Sequence, residues 1–175
     1  METIDQLLIE LNACEVARDW AQGKTFEEVY TTCHRGDWLC WLFARTNPED
    51  VQLLTLVKGH QANTVRHLMK DERSLTAVDT AIAFGEGRAT REELSEAAAR
   101  AAADAADADD AGYAAAWAAW EAAWAACIAA DAGYAAAWAA EAAYIGADAA
   151  RARQSNRQLT ADIFRKYISI DKFKI

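Results

Sequence analysis

DAGYAAAWAA, residues 110–119, returns unchanged at residues 131–140, and most of what separates the two copies is more alanine. Tyr113, Trp117, Trp120 and Trp124 follow spacings of four, three and four. At about 100° per residue they form one narrow stripe on a helix. The offset between copies is three heptads, which keeps the second copy near the same face if the helix is continuous and supercoiled. If the chain turns back, Tyr134 and Trp138 face the first stripe instead. The segment therefore reads as one long Ala-rich helix or as a helical hairpin. Gly112 and Gly133 each cost about 1 kcal/mol in a helix interior relative to alanine, so each marks a boundary or a very close contact.

Alanine on the remaining faces lets neighbouring backbones approach, and the rings fill the gaps between them. That packing use is the plainest reading. The alternative is a cavity walled by indole and phenol rings that takes a flat ligand such as a nucleobase. Aligned by the repeat, Glu141 stands where the first copy has Trp120, and Ile145 where it has Trp124. A carboxylate kept inside demands a partner, whereas one on a stripe that has left the core is simply solvated.

Outward from the repeat, nearly every segment reads as helix. Ile4, Leu7, Leu8, Leu11 and Cys14 recur at helical spacing, with Gly23 placed to end that helix. Thr25 and Glu28 form a capping-box pattern before Phe26, Val29, Tyr30 and Cys33, and Thr90 with Glu93 forms another. Asp37 is placed to cap the apolar run WLCWLFA, and Asn47-Pro48 to open the next helix with proline at its first position. That helix runs through Val51, Leu54, Leu56, Val57, Val65, Leu68 and Met69 and carries Lys58, His60, Arg66 and His67. Ser74 is placed to cap another, which holds Leu75, Val78, Ile82 and Phe84 and closes at Gly85. The last segment, LTADIFRKYI, sets Leu159, Ile163 and Tyr167 on one stripe. No stretch alternates as a half-buried strand would. The expectation is an all-α, single-domain helical bundle of six to eight helices over residues 1–175. Its parts are N-terminal helices (1–89), the Ala/aromatic-rich segment (90–150) and a basic C-terminal helix (151–175).

Alanine inflates the 53% hydrophobic content, and a single proline with eight glycines argues against a loop-rich chain. The net charge is −9, which disfavours nucleic acid and anionic membranes as partners. Residues 1–89 carry −5, residues 90–150 carry −9 and residues 151–175 carry +5. A basic tail after an acidic tract folds back onto it, or else Arg151, Arg153, Arg157, Arg165 and Lys166 gather as an anion site. The four cysteines (Cys14, Cys33, Cys40, Cys127) show no paired spacing, and METIDQLLIE lacks the apolar core of a signal peptide. A cytoplasmic location with reduced thiols is expected. Residues 111–130 approach the length of a membrane span, but alanine is barely favourable in lipid and aspartates crowd both ends.

Enzyme motifs are missing: there is no phosphate loop, nucleophile elbow, HExxH or CxxC. Cys33-His34 with Cys40 is one repeated helix face rather than a zinc site, Arg35-Gly36-Asp37 reads as a helix junction, and Asp104, Asp107, Asp109 and Asp110 read as a solvated face. Neither a metal nor a cofactor is expected, and the chain reads as a non-enzyme.

The strings GDWLCWLFA, ANTVRHLM, LTAVDTAIAFGEGRATREELSEAAARAAA and DIFRKYI together resemble the Imm-five-like immunity proteins, small helical proteins of bacteria and phages. The likeness spans roughly residues 14–170. It is carried by Gly36, Asp37 and Trp38, by the entry from Gly87 to Thr90 and by the tail from Asp162 to Ile168. What the resemblance implies is a non-catalytic binding protein of microbial conflict that neutralises a bacterial toxin or defence protein, with an acidic surface meeting a basic target. The other expectation is a phage-type sponge that holds a small nucleotide-derived immune signal. Its pocket would draw on Trp38, Arg66, His67, Tyr113, Trp117, Trp120, Tyr134, Trp138, Glu141, Arg157 and Arg165. A helical protein that assembles through its alanine faces, as a homo-oligomer, is the third.

Overall fold

The punctuation residues do much of the work of setting the helices. In the computed structural model, which describes residues 3–107, 117–118 and 149–175, eight α-helices are present among the described residues and no strand is. The fold is all-α. The long Ala-rich helix or hairpin expected from the repeat lies outside the described residues except at 117–118.

The chain forms two compact units, Met1–Cys33 and His34–Ile175. In the first, α1 (Asp5–Glu10), α2 (Glu15–Ala21) and α3 (Phe26–Thr32) are short. The continuous helix expected up to Gly23 is broken at Asn12, which takes a left-handed φ of 57°. Asn12 N–H donates to the Ile9 carbonyl and Ala13 N–H to the Leu8 carbonyl, the bond pair of a Schellman stop, and asparagine tolerates that conformation well. Gly23, with φ 74°, does follow the end of α2. The Thr25–Glu28 capping box forms as the spacing predicts, and Val29 and Cys33 are buried behind it.

The second unit contains α4 (Gly36–Thr46), α5 (Val51–Asn63), α6 (Glu72–Gly85), α7 (Arg91–Asp107) and α8 (Ala149–Tyr167). Several expected starts move. Arg35, not Asp37, is the N-cap of α4, and Asp37 sits in the first turn where its charge suits the helix dipole. Pro48 is in a turn closed by Asp50 N–H on the Asn47 carbonyl, so α5 begins three residues later than proline alone suggests. Asp71 rather than Ser74 caps α6, because its carboxylate accepts the Arg73 N–H, and Ser74 is carried inside and buried. The helix expected through Met69 stops at Asn63. Thr64 turns its hydroxyl onto the Gln61 carbonyl, and Arg66–Leu68 form a 3₁₀ turn.

Helical spacing explains the packing. Positions 94, 97, 98 and 101 of α7 and 77, 78 and 81 of α6 bury one stripe each, mostly alanine, so the two helices approach closely. Ala62, Val65 and Met69 join them, and so does Ala118 from the repeat. On the other side of α5, the rings of Phe43, Phe164 and Phe173 meet edge-on or tilted, with centroids 5.2–6.1 Å apart. Full burial of such side chains stabilises by about 1.5–3 kcal/mol each. Gly85 touches the backbone of Leu56, and Gly36 touches that of Thr160, so both are contact glycines.

The stripe expected on α8 is displaced. Leu159 is 47% exposed and Ile163 and Tyr167 are half-buried, whereas Asn156, Thr160, Ala161, Phe164 and Ile168 are buried. Two polar residues occupy the inner face, which is why hydrophobicity alone points one step off. This helix packs on α4 and α5; the expected return of the basic tail onto the acidic tract falls mostly on residues outside those described.

Candidate functional site

A buried polar seam runs where α4, α5 and α8 meet. On α5 the buried positions are 54, 55, 57, 58, 59, 61 and 62, and the helix places Lys58 and Gln61 among them. Both are fully buried. Gln61 joins all three helices: its Oε1 accepts from the Cys40 thiol at 3.4 Å, and its Nε2 donates to the Thr160 carbonyl at 3.0 Å. Thr160 in turn donates its hydroxyl to the Arg157 carbonyl at 2.8 Å, and Asn156 Nδ2 donates to Thr64 Oγ1 at 3.0 Å. Burial pushes the Cys40 thiol up to about 12, with the Lys58 charge and the Gln61 hydrogen bond pulling the other way. Such a thiol is protonated and inert as a nucleophile at neutral pH.

Around the seam lie its half-buried edges. Arg35 holds Asp37 through two contacts of 2.8 and 2.5 Å and lies 4.6 Å above the Trp38 ring. His60 and Tyr167 stack at 4.7 Å with the rings 12° apart, and the Tyr167 hydroxyl shares a 2.9 Å hydrogen bond with His60 Nε2. Burial, then the nearby Lys166 charge, lowers the His60 pKa, and Glu86 opposes this. At the far end Asn47 is buried, with Nδ2 donating to Asp50 and to the Lys172 carbonyl at 3.0 and 2.8 Å.

The site residues expected from sequence separate into different places. Trp38 is the platform beneath Arg35. Arg66 and His67 fall in the 3₁₀ turn rather than on α5, and Arg66 grips Asp79 of α6 at 2.6 and 2.9 Å, a hydrogen bond that raises its pKa further. Arg157 and Arg165 are half-buried on α8, and Arg165 pairs with Asp162 at 3.1 Å. Trp117 is half-buried with its indole nitrogen out of solvent, beside the buried Ala118. Tyr113, Trp120, Tyr134, Trp138 and Glu141 lie outside the described residues. The sequence singles out neither Gln61 nor Thr160, and it gives Lys58 and Cys40 no place in the expected pocket. The signal for them is that Lys58 and Gln61 occupy the apolar stripe of α5.

Two open grooves are present on the described surface. One, of about 340 Å³, lies between α1 and α2, and one of about 460 Å³ lies between α6 and α7, with Arg88, Arg100, Glu93 and Glu96 on its walls. No group of three or more His, Cys, Asp or Glu side chains suited to a metal occurs among the described residues, and no helix there is long and apolar enough to cross a membrane. Comparison with known proteins gives no matching family model, no matching curated protein and no matching solved structure.

Proposed function

We propose that this chain acts by binding and not by catalysis, neutralising an antagonist in bacterial or phage conflict by covering a basic protein partner. The observation that carries this reading is how the two kinds of polar group are used. The residue types that would serve chemistry (Cys40, Lys58, Gln61) are spent inside the helix seam, where one of them is held protonated. The acidic residues stand outside: Glu10, Glu15, Asp19, Glu27 and Glu28 in the first unit and Glu92, Glu93 and Glu96 on α7 are all exposed. A surface of that sign steers association with a cationic target and rejects like-charged ones. The resemblance to Imm-five-like immunity proteins points the same way.

A second reading, a sponge for a small nucleotide-derived signal, draws on Asn156. Its Oδ1 is buried and has no hydrogen-bond partner among the described residues, at the end of α5 near the core that Ala118 joins. A buried acceptor of that kind calls for a donor.

Native mass spectrometry of the full chain, recovered from cells challenged with phage, separates the readings. A co-eluting basic protein is the expected result. An added mass of a few hundred daltons, lost on denaturation, would replace the first reading with the second. A bare chain would overturn both and favour assembly through the alanine faces.

A further inference from the structure

The first unit holds −5 of the chain's net −9 in only 33 residues. It also exposes two β-branched side chains that local physics does not call for. Ile9 is 52% exposed and Val16 is 67% exposed, although Leu8, one position from Ile9, is buried. At exposed helix positions Ile and Val are weaker helix formers than Glu, Lys or Ala, so helix formation does not account for them. Single exposed aliphatic residues are ordinary. Ile9, however, shares the open 340 Å³ crevice between α1 and α2 with Leu8, and the crevice is rimmed by Asp5, Glu15 and Asp19 against one base, Arg18. Asp5 is fixed there by accepting the Gly23 N–H with both oxygens, at 3.1 and 3.2 Å. The Schellman stop at Asn12 fixes the turn between the helices.

We propose that this crevice docks a cationic segment of a partner protein, seating an aliphatic side chain against Leu8 and Ile9 while flanking Lys or Arg groups meet Asp5, Glu15 and Asp19. Charge complementarity selects this occupant. An acidic rim around an apolar floor repels anionic lipid and nucleic acid, and a cation without an apolar group leaves Ile9 in water. The inference rests on the reading of the chain as a binder of a basic protein, and it names the face used.

The test is a titration of the ¹⁵N-labelled full chain, followed by amide shifts, with three capped tripeptides: Arg-Leu-Arg, Arg-Ser-Arg and Glu-Leu-Glu. Arg-Leu-Arg should shift amides of residues 5–22, binding about fivefold more tightly than Arg-Ser-Arg, and Glu-Leu-Glu should leave them in place. Ile9→Ser, an exposed change that leaves the core intact, should weaken Arg-Leu-Arg about three- to fivefold. Asp19→Asn should weaken it and reduce its salt dependence. Equal response to Arg-Leu-Arg and Arg-Ser-Arg, absence of shifts in residues 5–22, or indifference to Ile9→Ser would overturn the crevice. A co-purified basic protein still held by the Ile9→Ser chain would place the failure in the crevice and leave the proposed function standing.

Discussion

Replacing Gly36 with alanine tests whether α4 and α8 are held at backbone contact. A Cβ at this position would lie 2.6 Å from the carbonyl carbon of Thr160, 2.6 Å from its Oγ1 and 2.8 Å from its Cβ. The first of these is main chain and cannot swing aside. Moving α8 away would stretch the 3.0 Å bond from Gln61 Nε2 to that same carbonyl, inside the seam. Overpacking of a close-packed contact costs about 1–3 kcal/mol, and the strained hydrogen bond adds about 0.5–1.5 kcal/mol. Alanine returns up to about 1 kcal/mol through its better helix propensity. The expected result is a net loss centred on about 2 kcal/mol, within about 0.5–3.5 kcal/mol. For a chain of this size a loss of about 2 kcal/mol lowers Tm by about 4–8 °C. Far-UV circular dichroism during thermal and urea unfolding reads it directly. Adding Thr160→Ala should recover only part of the loss, because the carbonyl carbon stays in place. An unchanged or higher Tm for Gly36→Ala would refute the contact and the helix placement derived from it.

Phe164→Ala, which empties the centre of the Phe43–Phe164–Phe173 cluster, should cost about 3–5 kcal/mol in the same urea assay. With a thiol-specific chromophore at pH 8, Cys14, which is exposed, should react at once and Cys40 only at the rate of unfolding. Because folding raises the Cys40 pKa from an ordinary 9.0 to about 12, its contribution is complete below pH 9 and is lost as pH rises toward 12. Cys40→Ala should flatten the alkaline fall in the urea midpoint. Folding lowers the His60 pKa, so its contribution is present above the ordinary 6.5 and is lost as pH falls below it, and His60→Gln should flatten the acid side.

Helix boundaries that depend on local chemistry were legible wherever side chain and backbone act within three residues. Thr25 with Glu28 and Thr90 with Glu93 make the bonds that their spacing predicts. Boundaries failed where two local solutions compete. Asp71 and Ser74 are both good caps, and the one that prevails is Asp71, whose carboxylate accepts the Arg73 N–H and leaves serine buried inside the helix. Asn12 gives no warning in a periodic apolar run, yet a single left-handed residue suffices to split the helix. The seam was hidden for a different reason. Apolar periodicity marks a core only where the core is apolar; Lys58 is buried on α5, and Gln61, Asn156 and Thr160 occupy inward positions joined by hydrogen bonds between α8 and the α5 region that arise only when the helices meet. Of the candidate site, the arginines were found but not their partners: Asp79 is 13 residues from Arg66 and on another helix.

The clasp at Asn47 sets a timetable for synthesis. Its side chain bonds the carbonyl of Lys172 and the amide of Lys174, groups 125 and 127 residues later in the chain, and Phe173 between them completes the ring cluster around Phe43. Contacts of such long sequence separation form late and slowly. A ribosome elongates at about 5–20 residues per second, so α4 and α5 wait many seconds with the face for α8 uncovered. During that interval the surfaces of Phe43 and Leu39 are open to whatever the nascent chain meets. The second unit therefore closes only after translation has passed residue 173, and chaperone occupancy on this protein should fall at that point.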